Sequence, residues 1–138
     1  MTALSITLLS TAVLALILVW LSIAVVIERA RAKISFGDGS TGPVRDGEQP
    51  GKLQAAIRAQ AHFAEYVPLS VILLGLVEGR GGNATVLWIL AAVLVAARVV
   101  HPLGMRLKTP NPARVVSTTA QWLVLAVGAL YGLWLYAA

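Results

Sequence analysis

A chain of 138 residues that is 58% hydrophobic and only 12% charged, with a mean hydropathy of +0.80, is too apolar for a water-soluble domain, which carries about twice that charge. Its length admits a single domain over residues 1–138, consumed by membrane spans rather than by a soluble core. The absence of cysteine excludes disulfides, thiolate metal sites and a protein thiol as nucleophile, so any sulfur chemistry needs a thiol brought by a ligand.

Four apolar segments are long enough to cross a hydrocarbon core about 30 Å thick, which takes about 20 helical residues. The first runs over about 3–27, carries no charge, and lacks the basic start of a signal peptide, which reads as a retained span. A basic connection over 28–52 follows. Within it, Phe36 to Gly51 holds five glycines and two prolines, which rules out a continuous helix there. Two readings of that stretch stand: a flexible connector, or a flap over a site at the mouths of the first two spans. Its glycines do not form a phosphate-binding fingerprint, since the Lys-Ser/Thr ending is missing.

The second span, over about 53–77, opens with Arg58-Ala-Gln-Ala-His62-Phe-Ala-Glu65-Tyr66-Val-Pro68. At about 100° per residue, Arg58, His62 and Glu65 fall within a narrow arc with Tyr66 beside it, so polar side chains share one stripe of an apolar helix. A charge near the bilayer centre costs roughly 2.5–3.5 kcal/mol on insertion scales, so the stripe calls for a partner. Arg58 also suits simple snorkelling to the headgroups, whereas Glu65, about 10 Å deeper, does not. Pro68 removes a backbone donor and frees the carbonyl of Ala64 one turn beyond the stripe.

The third span covers about 84–100 and is expected to end at the prolines of the 101–112 connection. Arg98 lies in its last turn, placed either to pair with Glu65 across helices or to aim its guanidinium at an anionic ligand. The fourth span covers about 113–136 and puts Arg114, Ser117, Thr118 and Gln121 on one face, where the small hydroxyl residues read as close packing. Short links make successive spans antiparallel, giving an all-α, four-transmembrane-helix up-down bundle.

Ten of the 11 basic residues flank or lie in the first and third connections, leaving Arg80 in the second. The positive-inside rule makes that basic side cytoplasmic and puts both termini on the non-cytoplasmic side. Attraction to anionic membrane lipids accounts for the net charge of +5, and no aromatics interleave the basic residues as in a nucleic-acid binder. Trp20 and Trp122 lie too deep for an interfacial belt and are expected to pack inside. With His62 and His101 the only histidines and no carboxylate cluster to join them, a metal site is not expected.

The run Leu53-Gln-Ala-Ala-Ile-Arg58-Ala-Gln60-Ala-His62-Phe-Ala-Glu65-Tyr66-Val-Pro68, following Arg29 and Arg31, resembles the signature of the MAPEG family, the membrane-associated proteins in eicosanoid and glutathione metabolism. The turn Glu78-Gly-Arg-Gly-Gly-Asn83 and the segment Ala97-Arg98-Val-Val-His101-Pro-Leu-Gly104 resemble its bacterial inner-membrane members. The resemblance implies a homotrimer that binds glutathione between subunits near the cytoplasmic side. It assigns Arg58, Gln60, Glu65 and Tyr66 to the peptide, with His62 standing where the family has asparagine. It brings Arg29 or Arg31 to the mouth of the site and makes Arg114 the candidate that stabilises the thiolate, and Arg98, by its position, joins the residues placed to hold the ligand. His101 and Met105 stand where eicosanoid-synthesising members place tyrosines, so the implied activity is that of a glutathione transferase or peroxidase. Its substrates are expected to be small hydrophobic or lipid electrophiles rather than a leukotriene or prostaglandin precursor. A non-catalytic protein with a structural network of Arg58, Glu65 and Arg98 is the competing expectation.

Overall fold

The computed structural model describes residues 4–137. It contains four helices among those residues, and each is long and apolar enough to cross a membrane: α1 (Ser5–Ala32), α2 (Lys52–Gly79), α3 (Ala84–Met105) and α4 (Pro112–Ala137). The expected start of the first span at residue 3 lies outside the described residues. The helices α2 and α3 form the shared centre of the bundle. The outer pair, α1 and α4, each pack on both of them and, among the described residues, not on each other. Leu14, Leu21, Phe63, Val67, Leu74, Leu87, Leu94 and Val124 fill the interior. Leu8, Leu16, Leu69, Ile89, Leu123 and Leu130 are among many large apolar side chains on the outside, an arrangement that suits hydrocarbon and not water. Trp20 and Trp122 belong to this outer surface, 47% and 54% exposed, and not to the interior where their depth had suggested.

Two helices run past their expected ends, for separate reasons. In α1, Glu28, Arg29 and Arg31 sustain the helix beyond the apolar stretch, because such residues favour helix once the chain has reached water. It ends at Lys33, which adopts a left-handed conformation at φ 56°. In α3, Pro102 does not end the helix; it is buried within it, and the helix continues to Met105. Proline deprives the carbonyl four residues back of its donor, and the packing of α3 against α4 holds the turn in spite of that loss. Asn111 then closes both helices: its side-chain amide donates to the carbonyls of Gly104 and Lys108, and its Oδ1 accepts from the N–H of Arg114 at 3.0 Å. With Pro112 at the first helical position, this is a capped N-terminus. Gly104 lets the two backbones meet, since a methyl group there would lie 2.6 Å from the Arg114 nitrogen.

The basic end of the bundle carries the long connection between α1 and α2. It is tied down along its length: Arg29 Nη1 donates to the carbonyl of Gly37, and Gln49 Nε2 donates to that of Arg106. Gly47 and Glu48 exchange backbone hydrogen bonds with Thr109 at 2.6 and 3.0 Å. The connection is therefore braced against the α3–α4 link. At its tip the Ser40 hydroxyl and backbone N–H donate to Asp38, holding that carboxyl below the usual carboxylate range. At the far end, the Glu78 carboxylate of α2 accepts from the N–H groups of Ile6 and Thr7 at 2.9 and 2.8 Å. This supplies the α1 N-terminus with the anionic cap that Leu4 cannot provide.

The Gly104 contact yields a direct test. Gly104→Ala is expected to force α3 and α4 apart and destabilise the protein by about 1–3 kcal/mol, read as a lower midpoint of thermal unfolding in detergent. An unchanged midpoint would show that the close approach contributes nothing.

Candidate functional site

The polar residues of α2 divide between three directions. Gln60 turns toward α1, where its Nε2 donates to Ser22 Oγ at 2.9 Å. His62, with Tyr66 beside it, turns toward α3. The His62 ring lies 4.6 Å from that of Tyr66 and stacks on that of His101 at 4.2 Å with 23° between planes. Arg58 and Glu65 point away from the bundle and are exposed, continuing into Leu69, Ile72 and Leu76 along the same outer face. Glu65 stands about 20 Å along a helix about 42 Å long, so an open carboxylate sits near mid-height on an apolar surface. Neither it nor Arg58 has an ion-pair partner among the described residues, where Arg31 with Glu28 at 2.9 Å is the one such pair.

Arg98 does not reach Glu65. Its side chain is enclosed, 1% exposed, and Nη1 donates to His62 Nδ1 at 2.9 Å. The other edge of the guanidinium, Nε and Nη2, has no partner among the described residues. Further buried polar groups link α2, α3 and α4. His101 Nδ1 lies 3.2 Å from Ser117 Oγ, and that hydroxyl also donates to the carbonyl of Arg114 at 3.1 Å. Gln121 donates to Ser70 Oγ at 2.8 Å, and Ser70 donates to the carbonyl of Tyr66. The buried polar core thus joins α2, α3 and α4 while leaving α1 out.

Arg114 itself is exposed at the first turn of α4, beside a groove of about 350 Å³ lined with Asn111, Thr118, Thr119 and Trp122. Arg29 is committed to the loop carbonyl of Gly37 and Arg31 to Glu28. Of the residues singled out in the sequence, His62, Tyr66 and Arg98 come together inside one chain. Arg58, Glu65 and Arg114 remain on its surface, and Gln60 faces another way. Two members of the polar core were missed from sequence: Ser70 as the support of Gln121, and His101 as a partner of His62 rather than a substituted tyrosine. Ser70 carried a legible signal, because positions 62, 66 and 70 recur at helical spacing on one face.

Cutting one link of this core tests its strength. Ser70→Ala leaves the Gln121 amide unsatisfied and is expected to cost about 0.6–1.7 kcal/mol, the range of hydrogen bonds between membrane helices. A reversible unfolding titration in mixed micelles measures it.

Comparison with known proteins places this geometry. The chain is 29% identical over 120 residues to the inner membrane protein YecN of Escherichia coli K12, covering 87% of this chain and 84% of the relative. The protein of the same name from Escherichia coli O6:H1 matches to the same extent. No solved structure matches. The MAPEG family matches residues 7–134, nearly the whole of the bundle with its α2 stripe and its α3–α4 junction, and the chain belongs to that family.

Proposed function

We propose that this protein is a homotrimeric, glutathione-binding enzyme of the inner membrane, a glutathione transferase or glutathione-dependent peroxidase for small hydrophobic or lipid electrophiles. Glu65 carries the reading. A carboxylate exposed at mid-height of α2, with Arg58 two turns away, is costly against lipid and becomes tolerable once a neighbouring subunit and a charged ligand cover it. Glutathione has two carboxylates and one ammonium, which complement an arginine and a glutamate held on one helix face. It also brings the thiol that a chain without cysteine lacks.

Arg114 is suited to stabilise the thiolate, and the groove beside it, with Trp122 and Thr118, gives an electrophile a way in from the bilayer. The inner-membrane location rests on the YecN likeness and the four apolar helices, and the bias of basic residues supports a cytoplasmic α1–α2 connection. His62, Gln60 and Arg98 take supporting places, since each is turned inward. The competing reading, a non-catalytic protein joined by Arg58, Glu65 and Arg98, is disfavoured because Arg98 is enclosed on His62 while the other two are exposed.

Calorimetric titration of the detergent-solubilised protein with glutathione tests the proposal. Binding is expected within the range of about 1 μM to 1 mM usual for enzyme substrates. Arg58→Ala and Glu65→Gln should abolish it while the oligomer survives size-exclusion chromatography. No heat of binding in the wild-type protein at millimolar thiol would sink the reading, and loss of the oligomer in both variants would favour the structural alternative.

A further inference from the structure

We propose that Arg98, His62, His101 and Ser117 form a directed hydrogen-bond brace that fixes the first turn of α4, and with it Arg114, against the ligand-facing helix α2. The donors and acceptors leave little freedom in how the brace is wired. A guanidinium only donates, so the contact of Arg98 Nη1 with His62 Nδ1 requires a bare lone pair on Nδ1 and places the proton of the neutral ring on Nε2. The Ser117 hydroxyl has one proton, which it gives to the carbonyl of Arg114, so it accepts from His101 Nδ1. His101 is therefore the opposite tautomer, with its lone pair on Nε2, and the two rings meet by stacking at 4.2 Å. One continuous path of contacts runs from the α3 cation through α2 and back through α3 to the backbone of α4.

The brace explains why histidine can stand where the family resemblance has asparagine. Asparagine Oδ1 and histidine Nδ1 are both one bond from Cγ, so either side chain can offer Arg98 an acceptor there, but only histidine adds a ring for His101 to stack on. Arg98, His62 and His101 act here as positioning residues. Their consequence for chemistry rests on the proposed glutathione reading, in which Arg114 stabilises the thiolate. In that case the brace governs turnover, while Arg58 and Glu65 govern binding.

The first measurement needs no ligand. Nitrogen-15 NMR of histidine-labelled protein is expected to show His62 protonated on Nε2 and His101 on Nδ1; the reverse pattern, or two charged rings, would overturn the brace. Hydrogen exchange of the amides of residues 115–121 is expected to quicken in His62→Leu and in Ser117→Ala. It should quicken in His62→Asn as well, because asparagine keeps the acceptor for Arg98 but lacks the ring on which His101 stacks. Unchanged exchange in His62→Leu and Ser117→Ala would also overturn the brace. Kinetics with glutathione and a chlorinated nitrobenzene then separate the two proposals. His62→Leu should lower kcat by roughly tenfold or more, while the glutathione dissociation constant stays within about threefold. If the tautomers and exchange are as expected but the wild-type protein binds no glutathione, the brace stands and the proposed function falls. A loss of affinity as large as the loss of kcat would instead show that His62 holds the ligand itself and not the α4 turn.

Discussion

A positive charge closed off inside a membrane bundle constrains everything around it. Arg98 is 1% exposed, and among the described residues no carboxylate comes to meet it. An isolated buried charge is costly by tens of kcal/mol in an idealised low-dielectric medium, and real proteins reduce that cost by surrounding the charge with dipoles. Among the described residues one such group touches Arg98, the His62 ring of α2, while Ser70, His101, Ser117 and Gln121 bond to one another and to backbone carbonyls and so join α2, α3 and α4. The fourth helix, α1, is free of that demand. It packs through Leu14, Leu21 and Val25 and meets polar side chains of α2 where Gln60 reaches Ser22 and where Glu78 caps its first turn.

The same constraint divides the α2 stripe into two populations with different fates. His62 and Tyr66 are consumed by the polar core, and their positions are set by rings and hydrogen bonds within one chain. Arg58 and Glu65, about 40–60° around the axis, have no ion-pair partner among the described residues and remain open. A polar group in hydrocarbon that the fold itself does not satisfy is available for recognition, because covering it releases the cost of its exposure. In the proposed function, structure and recognition share one helix by using adjacent arcs of it.

Much of the architecture was legible in the sequence because its physics is collective. Twenty consecutive apolar residues define a span whatever their neighbours do, so the four helices and the irregular Phe36–Gly51 connection follow from composition. The directions of single side chains do not. Arg58, His62 and Glu65 occupy an arc narrow enough to look like one face, yet a rotation of about 40–60° separates the inward histidine from the outward charges. Only packing against α3 decides where that boundary falls. Arg98 offered two destinations from sequence, Glu65 or a ligand, and within the chain its Nη1 meets His62 and not Glu65. The Glu78 cap on α1 was hidden for a similar reason: more than seventy residues separate the partners, and no local pattern announces them. Pro102 misled because proline ends helices in isolation, whereas a helix packed along its length retains a turn that has lost one bond.

What distinguishes Arg114 is the contrast between its side chain and its backbone. The side chain is exposed at a groove, free to engage whatever enters. The backbone is held from three sides: by the cap of Asn111, by the close approach of Gly104, and by the hydroxyl of Ser117. The connection before it is also bonded to the α1–α2 loop through Thr109. A solvating or snorkelling arginine needs none of this, since its charge finds headgroups from many backbone positions. A guanidinium that must meet a small anionic atom at a defined place gains directly from a fixed backbone, because the conformational cost of alignment is then borne by folding rather than by each encounter. The convergence of independent supports on one turn is for that reason better explained by a positional requirement at Arg114 than by the stability of α4 alone.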